Sequence, residues 1–252
     1  MTSVDCLKYL ERINYTGSTS SSVEVLTKLQ QLHLLNVPFE NLDIHTGKKI
    51  ELKNTYDKIV NNHRGGFCYE LNGLFFQLLT AIGFEAKLVS ARAYNNKLQT
   101  FGPEFDHMAI VASIENQNYL VDVGFGEFTY SPLKLELDLL QADRAGKFMI
   151  KQYDATYLTV SKVDGNGSIP EYIFTQTPRQ LNDFAVMCHY HQTSSLSHFT
   201  QKRLCSMVTG KGRITISGNV LKKTENGSVI EISLTDEVEF NKALWDYFNM
   251  QL

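Results

Sequence analysis

The chain has 252 residues, with 24 Lys or Arg against 27 Asp or Glu, for a formal net charge of −3. It carries no long basic run, so the electrostatic footprint of a nucleic-acid binder is missing. At 43% hydrophobic residues it has apolar surface enough for one large domain or two to three small ones. No stretch of about 18 apolar residues occurs, the length a membrane-spanning helix needs. The segment MTSVDCLKYLERINY is polar and acidic early, without the basic and apolar regions of a signal peptide, so a cytoplasmic protein is expected.

The first third reads as helical. Ser21 and Glu24 suggest a capping box, followed by Val25, Leu26, Leu29, Leu32 and Leu35 at helical spacing. A second helix is expected over Thr55–Asn62, with Tyr56, Ile59 and Val60 on one side. The third is the clearest: Leu71, Leu74, Phe75, Leu78, Leu79 and Ile82 repeat over three turns, and Gly83 stands where a C-terminal cap belongs. From Ala86 the pattern turns to strands: Ala86–Tyr94, Met108–Ile114 and Tyr119–Val123, with a turn at 116–118. Further strands are expected at Phe148–Tyr153, Tyr157–Val163 and Tyr172–Thr175, with a tight turn at 164–167. A small meander follows at Arg213–Ser217, Val220–Lys223 and Val229–Ser233, where Asn226-Gly227 signals a hairpin. A last helix, Asp236 to Phe248, is assigned Thr235 as its cap. Helices first, then a β-rich middle, then a mixed C-terminal part make an α+β chain rather than an alternating βαβ one.

Four cysteines, Cys6, Cys68, Cys188 and Cys205, lie far apart without CxxC pairing, so disulfides are not expected. Three read as buried filler. Cys68 differs: it follows Arg64-Gly65-Gly66-Phe67 at the start of the best helix. Two glycines there suggest a sharp turn with exposed backbone. A helix N-terminus offers free N–H groups and partial positive charge, which favour a thiolate and an oxyanion. His107 opens one strand and Asp122 ends its antiparallel partner, so the two can meet on one rim of the sheet. An acid beside a histidine fixes its tautomer and stabilises the imidazolium. Cys68, His107 and Asp122 thus form a candidate nucleophile, base and orienting acid. Glu40 is a plausible partner for Arg64. Cys188, His189, His191 and His198 fit no common zinc spacing, and His189 and His191 are read on a strand; no metal site is expected.

These blocks carry a resemblance. Val37-Pro38-Phe39-Glu40-Asn41-Leu42, Arg64-Gly65-Gly66-Phe67-Cys68-Tyr69-Glu70-Leu71-Asn72, His107, Val121-Asp122-Val123-Gly124-Phe125-Gly126 and Tyr190–Thr200 resemble, in order and spacing, the arylamine N-acetyltransferases over essentially the whole chain. The short span between Asp122 and Tyr190 is like that of bacterial members. The resemblance implies a helical bundle over 1–84 carrying the nucleophile, a β-barrel over 85–188 carrying His107 and Asp122, and an α/β lid over 189–252, on a transglutaminase- or papain-like cysteine core. It implies acetyl-CoA as co-substrate, a Cys68 thioester, and an arylamine, hydrazine or arylhydroxylamine acceptor. By position, Phe39, Ala93, Phe125, Glu127, Thr129 and Phe199 would line the acceptor site, and Gly102, Tyr190, Ser197 and Lys211 the coenzyme site. A monomer or homodimer without nucleic-acid or membrane partner is expected.

Two other readings use the same residues. A cysteine hydrolase or transglutaminase-like amide-bond enzyme shares the Cys, His, Asp order, although the three phenylalanines would hinder water at an acyl-enzyme. A binding module with a dead pocket is disfavoured because all three candidate residues are present.

Overall fold

The structure is a computed structural model that describes the backbone of residues 1–252 and the side chains of all but residues 3 and 4. Its helices are α1 (Ser3–Arg12), α2 (Val23–Asn36), α3 (Leu42–His45), α4 (Cys68–Ala81), α5 (Ala185–Thr193), α6 (His198–Gln201) and α7 (Glu237–Phe248). The strands are β1 (Phe39–Glu40), β2 (Glu85–Asn95), β3 (Thr100–Phe101), β4 (His107–Ile114), β5 (Gln117–Val121), β6 (Leu133–Lys134) and β7 (Gln141–Asp143). They continue with β8 (Gly146–Gln152), β9 (Leu158–Asp164), β10 (Gly167–Phe174), β11 (Leu204–Thr209), β12 (Gly212–Ser217), β13 (Val220–Glu225) and β14 (Ser228–Ser233).

Two antiparallel sheets result. The larger runs β6-β5-β4-β2-β10-β9-β8-β7, with β3 attached to β2, and curls into a nearly closed barrel. The smaller runs β1-β11-β12-β13-β14. This is the α+β class that the sequence predicts.

Strand alternation decides where the core goes. On β4, Ala109 and Val111 face the barrel interior with Leu120, Phe148, Val160 and Tyr172, while Met108, Ile110, Ala112 and Ile114 face the helices. A strand buried on both faces is nearly all apolar, as this one is. Against its outer face lies α4, itself buried on nearly every side. A third cluster packs α7, through Phe240, Leu244 and Phe248, on Ile216 and Leu221 of the smaller sheet.

Several local expectations shift. Ser22, not Ser21, caps α2 by accepting from Val25 N at 3.3 Å; Ser21 Oγ instead donates to Gly83 O at 2.8 Å. Asp236, not Thr235, caps α7, accepting from Glu239 N at 2.9 Å. The helix expected over 55–62 contains a π-helical turn, Asp57–Asn61. The β4–β5 turn is the two-residue pair Glu115 and Asn116, both at positive φ, the hairpin form that matches strand twist. His189 and His191 lie on a helix, α5, not on a strand. Residue 188 falls inside that helix, so a boundary placed there cuts an element. Helix α1 lies in the third that reads as helical, without a helix assigned to its residues, and strand β11 lies outside the sequence expectations.

Candidate active site

Cys68 is the first residue of α4 and is 3% exposed. The two preceding glycines are there for close approach rather than for an exposed turn. Residues 65–66 are buried and run beside 38–40, with Glu40 N donating to Gly66 O at 2.8 Å. A Cβ at Gly65 would stand 2.1 Å from Pro38 O. Any larger residue would push the Cys68 helix start away from β1. The helix start is also held by Glu70, which accepts from Phe67 N at 3.1 Å.

Beneath this start lies a buried ionic cluster. Arg64 Nη2 donates to Glu40 Oε1 at 2.7 Å and to Asp43 Oδ1 at 2.9 Å. Lys58 Nζ reaches Asp43 at 2.8 Å and Glu70 at 2.9 Å. The expected Arg64–Glu40 contact is present, and Lys58, Asp43 and Glu70 extend it. Three carboxylates share two cations, and burial pushes the Glu70 carboxyl up to about 7, with the nearby Glu40 charge adding to it against the pull of Lys58.

His107 and Asp122 meet as the strand register requires. Ile110 pairs with Val121, which puts His107 and Asp122 diagonally across the β4–β5 rim. His107 Nε2 lies 2.6 Å from Asp122 Oδ2. The carboxylate is fully buried and accepts three further hydrogen bonds: Asn72 Nδ2 at 2.8 Å, Gly124 N at 2.9 Å and Tyr172 OH at 3.1 Å. A buried carboxylate is tolerable when so many donors surround it. With Nε2 engaged, Nδ1 is the His107 nitrogen left to serve a neighbour.

Asn72 and Tyr172 are residues that sequence reasoning missed in these roles. Asn72 sits one helical turn after Cys68, so its side chain falls on the same face. It bonds Met108 O at 2.6 Å, Asp122, and Val123 N at 2.9 Å, which ties α4 to both strands. Its signal was the i, i+4 spacing from Cys68. Tyr172 comes from β10, where a register shift between Pro170 and Tyr172 marks a bulge at Glu171. No local pattern announces that. Gly124 closes the arrangement: a Cβ there would lie 2.7 Å from the Cys68 Cα, so only glycine lets the 122–126 segment touch the helix start.

Cys68 and His107 line one cavity of about 400 Å³. Of the positions expected to hold an acceptor, Phe39, Ala93, Phe125, Glu127 and Phe199 line it. Phe125 packs edge-on to His107, with ring centroids 4.9 Å apart. Thr129 does not line this cavity; it is buried beside an adjoining cleft of about 210 Å³. The cavity also takes Asp106, His198, Ser206, Arg213 and Thr215, none of which the sequence singled out for it.

The four expected coenzyme positions lie outside the cavity lining. Ser197 is buried and its hydroxyl lies 3.0 Å from His191 Nδ1. His191 Nε2 stands 3.1 Å from Asp106 Oδ1, off the line of a good hydrogen bond. Tyr190 is the neighbouring half-buried residue on α5. A Cβ on Gly102 would meet Asp106 Oδ2 at 2.4 Å. Gly102, and Ser197 through His191, gather around Asp106 on one side, whereas Lys211 is exposed at the turn between β11 and β12.

The thiol environment departs from the sequence expectation. Burial pushes the Cys68 thiol well up, and the Asp106 and Asp122 charges add to this; a hydrogen bond from the Met108 backbone pulls the other way. Among the described residues, no group of three or more His, Cys, Asp or Glu side chains is placed to hold a metal ion, and no helix is long and apolar enough to cross a membrane.

This fold and pocket set a class, which comparison with known proteins supplies. A family model described as N-acetyltransferase matches residues 22–252, so the protein is an acyltransferase enzyme. The pineal gland isozyme NAT-10 arylamine N-acetyltransferase of Gallus gallus is 33% identical, over 97% of this chain and 93% of its own. The arylamine N-acetyltransferase structure from Salmonella typhimurium superposes with a TM-score of 0.92 at 24% identity, covering 99% of this chain and 92% of that one. Another, from Bacillus cereus, gives 0.89 at 25% identity over all of both chains and is described as having a unique Cys-His-Glu catalytic triad. The chain belongs to the arylamine N-acetyltransferase family.

Proposed function

We propose that this protein moves an acetyl group from acetyl-CoA to an arylamine, hydrazine or arylhydroxylamine through a Cys68 thioester. The observation that carries the reading is the His107 Nε2–Asp122 contact of 2.6 Å at a cavity that Cys68 also lines. Where the Bacillus cereus relative is described with a glutamate, the acid here is Asp122.

In the first half-reaction the Cys68 thiol gives its proton to His107 Nδ1 as Sγ attacks the acetyl carbonyl. The carbon–sulfur bond to coenzyme A breaks, and the proton returns to the departing sulfur. A lone buried thiolate is costly, but a thiolate formed beside an imidazolium is one half of an ion pair, and Asp122 holds the other half. The N–H groups at the very start of α4 favour the tetrahedral oxyanion. In the second half-reaction the amine nitrogen attacks the thioester, its proton passes to His107, and Sγ leaves as a thiol again. The walls of Phe39, Phe125 and Phe199 suit a flat acceptor and keep water from the thioester.

In this reading residues 1–84 supply the nucleophile, 85–188 the base and acid, and 189–252 a covering lid, on a papain- or transglutaminase-like core. The setting is cytoplasmic, in keeping with four free, buried cysteines. Steady-state kinetics with acetyl-CoA and an arylamine test the reading. Parallel double-reciprocal lines are expected; intersecting lines, or a preference for hydrolysing amides, would overturn it.

A further inference from the structure

Two carboxylates stand near Cys68, and they are partnered very differently. Asp122 takes four donors. Asp106 lines the Cys68 cavity, and among the described residues no donor makes a hydrogen bond to its carboxylate. The nearest ring is that of His191, whose Nε2 stands 3.1 Å from Oδ1 but is itself buried without a hydrogen-bond partner. The Asp106 side chain is only 17% exposed. A carboxylate so nearly buried costs free energy until a donor meets it.

The surrounding chain holds the carboxylate in that place. A Cβ on Gly102 would come within 2.4 Å of Asp106 Oδ2, so glycine makes the room. Phe105 has φ +65°, a left-handed conformation that a bulky residue adopts only under constraint. The constraint is visible: Phe105 N donates to Ser90 Oγ at 2.9 Å, and Tyr69 OH donates to Phe105 O at 2.7 Å, with Asp106 O 3.1 Å away. Tyr69 follows Cys68 in α4, so one side chain ties the helix start to the segment that carries Asp106. Ser197 Oγ accepts from Phe199 N at 3.3 Å and has its own hydrogen to give to His191 Nδ1 at 3.0 Å; the ring proton then sits on Nε2, toward Asp106.

Other groups in the wall leave Asp106 open. His198 lines the cavity, but burial pushes its imidazole down, toward the neutral form, and the neighbouring His191 adds to this against the pull of Asp106. Glu127, the other acid in the lining, is exposed, where water partners it. Phe39, Phe125 and Phe199 offer no donor. An open carboxylate in such a cavity is a recognition element for a donor on the ligand. Burial pushes the Cys68 thiol up, and the Asp106 charge adds more to this than the Asp122 charge does, which places the carboxylate close to the reacting sulfur.

We propose that Asp106 is a specificity-determining residue of the acceptor site: its carboxylate takes the second N–H of a hydrazide or arylhydrazine, the one beside the nitrogen that attacks. This deepens the acetyl-transfer reading and rests on it. The terminal nitrogen attacks the thioester, and its proton passes through His107 to Sγ as the carbon–sulfur bond breaks. The second N–H keeps its hydrogen throughout. Its hydrogen bond to Asp106 tightens as the neighbouring nitrogen gains positive charge, so the contact is worth most in the transition state.

Benzohydrazide and N-methylbenzohydrazide, in which a methyl group replaces that one hydrogen, test the proposal as acceptors. In a double-displacement reaction kcat/KM for the acceptor reports the second half-reaction alone, so changes in the first do not enter. The wild type should prefer benzohydrazide by about tenfold or more, the worth of one charge-assisted hydrogen bond. In Asp106→Asn, which keeps the shape but not the charge, the preference should shrink about tenfold, and Asp106→Ala should shrink it likewise. The bulk of the methyl group is the same for every protein and cancels. A wild type that acetylates both compounds equally, a comparison that needs no variant to fold, would overturn the role of Asp106 and leave acetyl transfer standing. A preference unchanged in the variants would do the same. A protein that takes no acetyl group from acetyl-CoA and acetylates neither compound would sink the transfer reading and this one with it.

Discussion

Two buried ionic clusters flank the start of α4, and they use charge in opposite ways. On the strand side one carboxylate, Asp122, takes four donors, and only one of them, His107, can carry a proton away. On the loop side three carboxylates, Glu40, Asp43 and Glu70, share Arg64 and Lys58, and every group is locked to another charge or to backbone. The first puts His107 in the wall of a cavity. The second fixes the backbone that delivers Cys68. The difference teaches that charge buried around Cys68, the proposed nucleophile, divides into chemistry and position, and that the two should fail differently when broken.

The largest effect should come from Cys68→Ala, which removes the atom proposed to take the acetyl group. Acetyl transfer should vanish while the far-UV circular dichroism stays that of the wild type. Transfer at the original rate would end the account of the strand side. Next comes Asp122→Asn. It keeps the shape but no longer fixes the histidine tautomer, so transfer should slow by about 10³- to 10⁴-fold. The pH profile of Cys68 alkylation should move upward. Unchanged reactivity would mean that Asp122 does not act through His107.

On the loop side the effects should appear in stability. Glu40→Gln leaves Arg64 with less compensation in a buried place and should cost about 3–5 kcal/mol in urea unfolding. The alkylation rate of the molecules that remain folded should change little. A large fall in that rate without a loss of stability would erase the distinction between the clusters.

The smallest effect concerns Glu70. Its carboxyl is raised from an ordinary 4.5 to about 7 in the folded protein. Between those values the native state holds a proton that the unfolded state has lost. Stability should therefore decline as pH rises from about 4.5 to about 7 and level off above that. Glu70→Gln should flatten this segment of the curve, as followed by thermal unfolding across that range. An unaltered slope would place the titration elsewhere.

The two clusters also differ in how far the sequence revealed them. Glu40 could be named as a partner for Arg64 because a charge beside Gly65-Gly66 often tethers a loop. The α4 helix was legible from its apolar period, and the His107–Asp122 meeting from an antiparallel hairpin whose register is local. What stayed hidden depends on distant chain. Tyr172 reaches Asp122 only because β10 pairs with β2 and bulges at Glu171. Arg213 enters the cavity from β12 of the other sheet. Helix α5 has no clear apolar stripe, so its histidines read as a strand. The thiol's burial, which pushes it up, is likewise a property of packing rather than of spacing.

The central claim is that Cys68 carries the acetyl group. Intact-protein mass spectrometry after brief exposure to acetyl-CoA, followed by peptide mapping, addresses it directly. A single acetyl adduct on the peptide containing Cys68, discharged on adding an arylamine and absent from Cys68→Ala, is the expected result. Transfer that proceeds without any adduct, or an adduct on Cys6, Cys188 or Cys205, would contradict it.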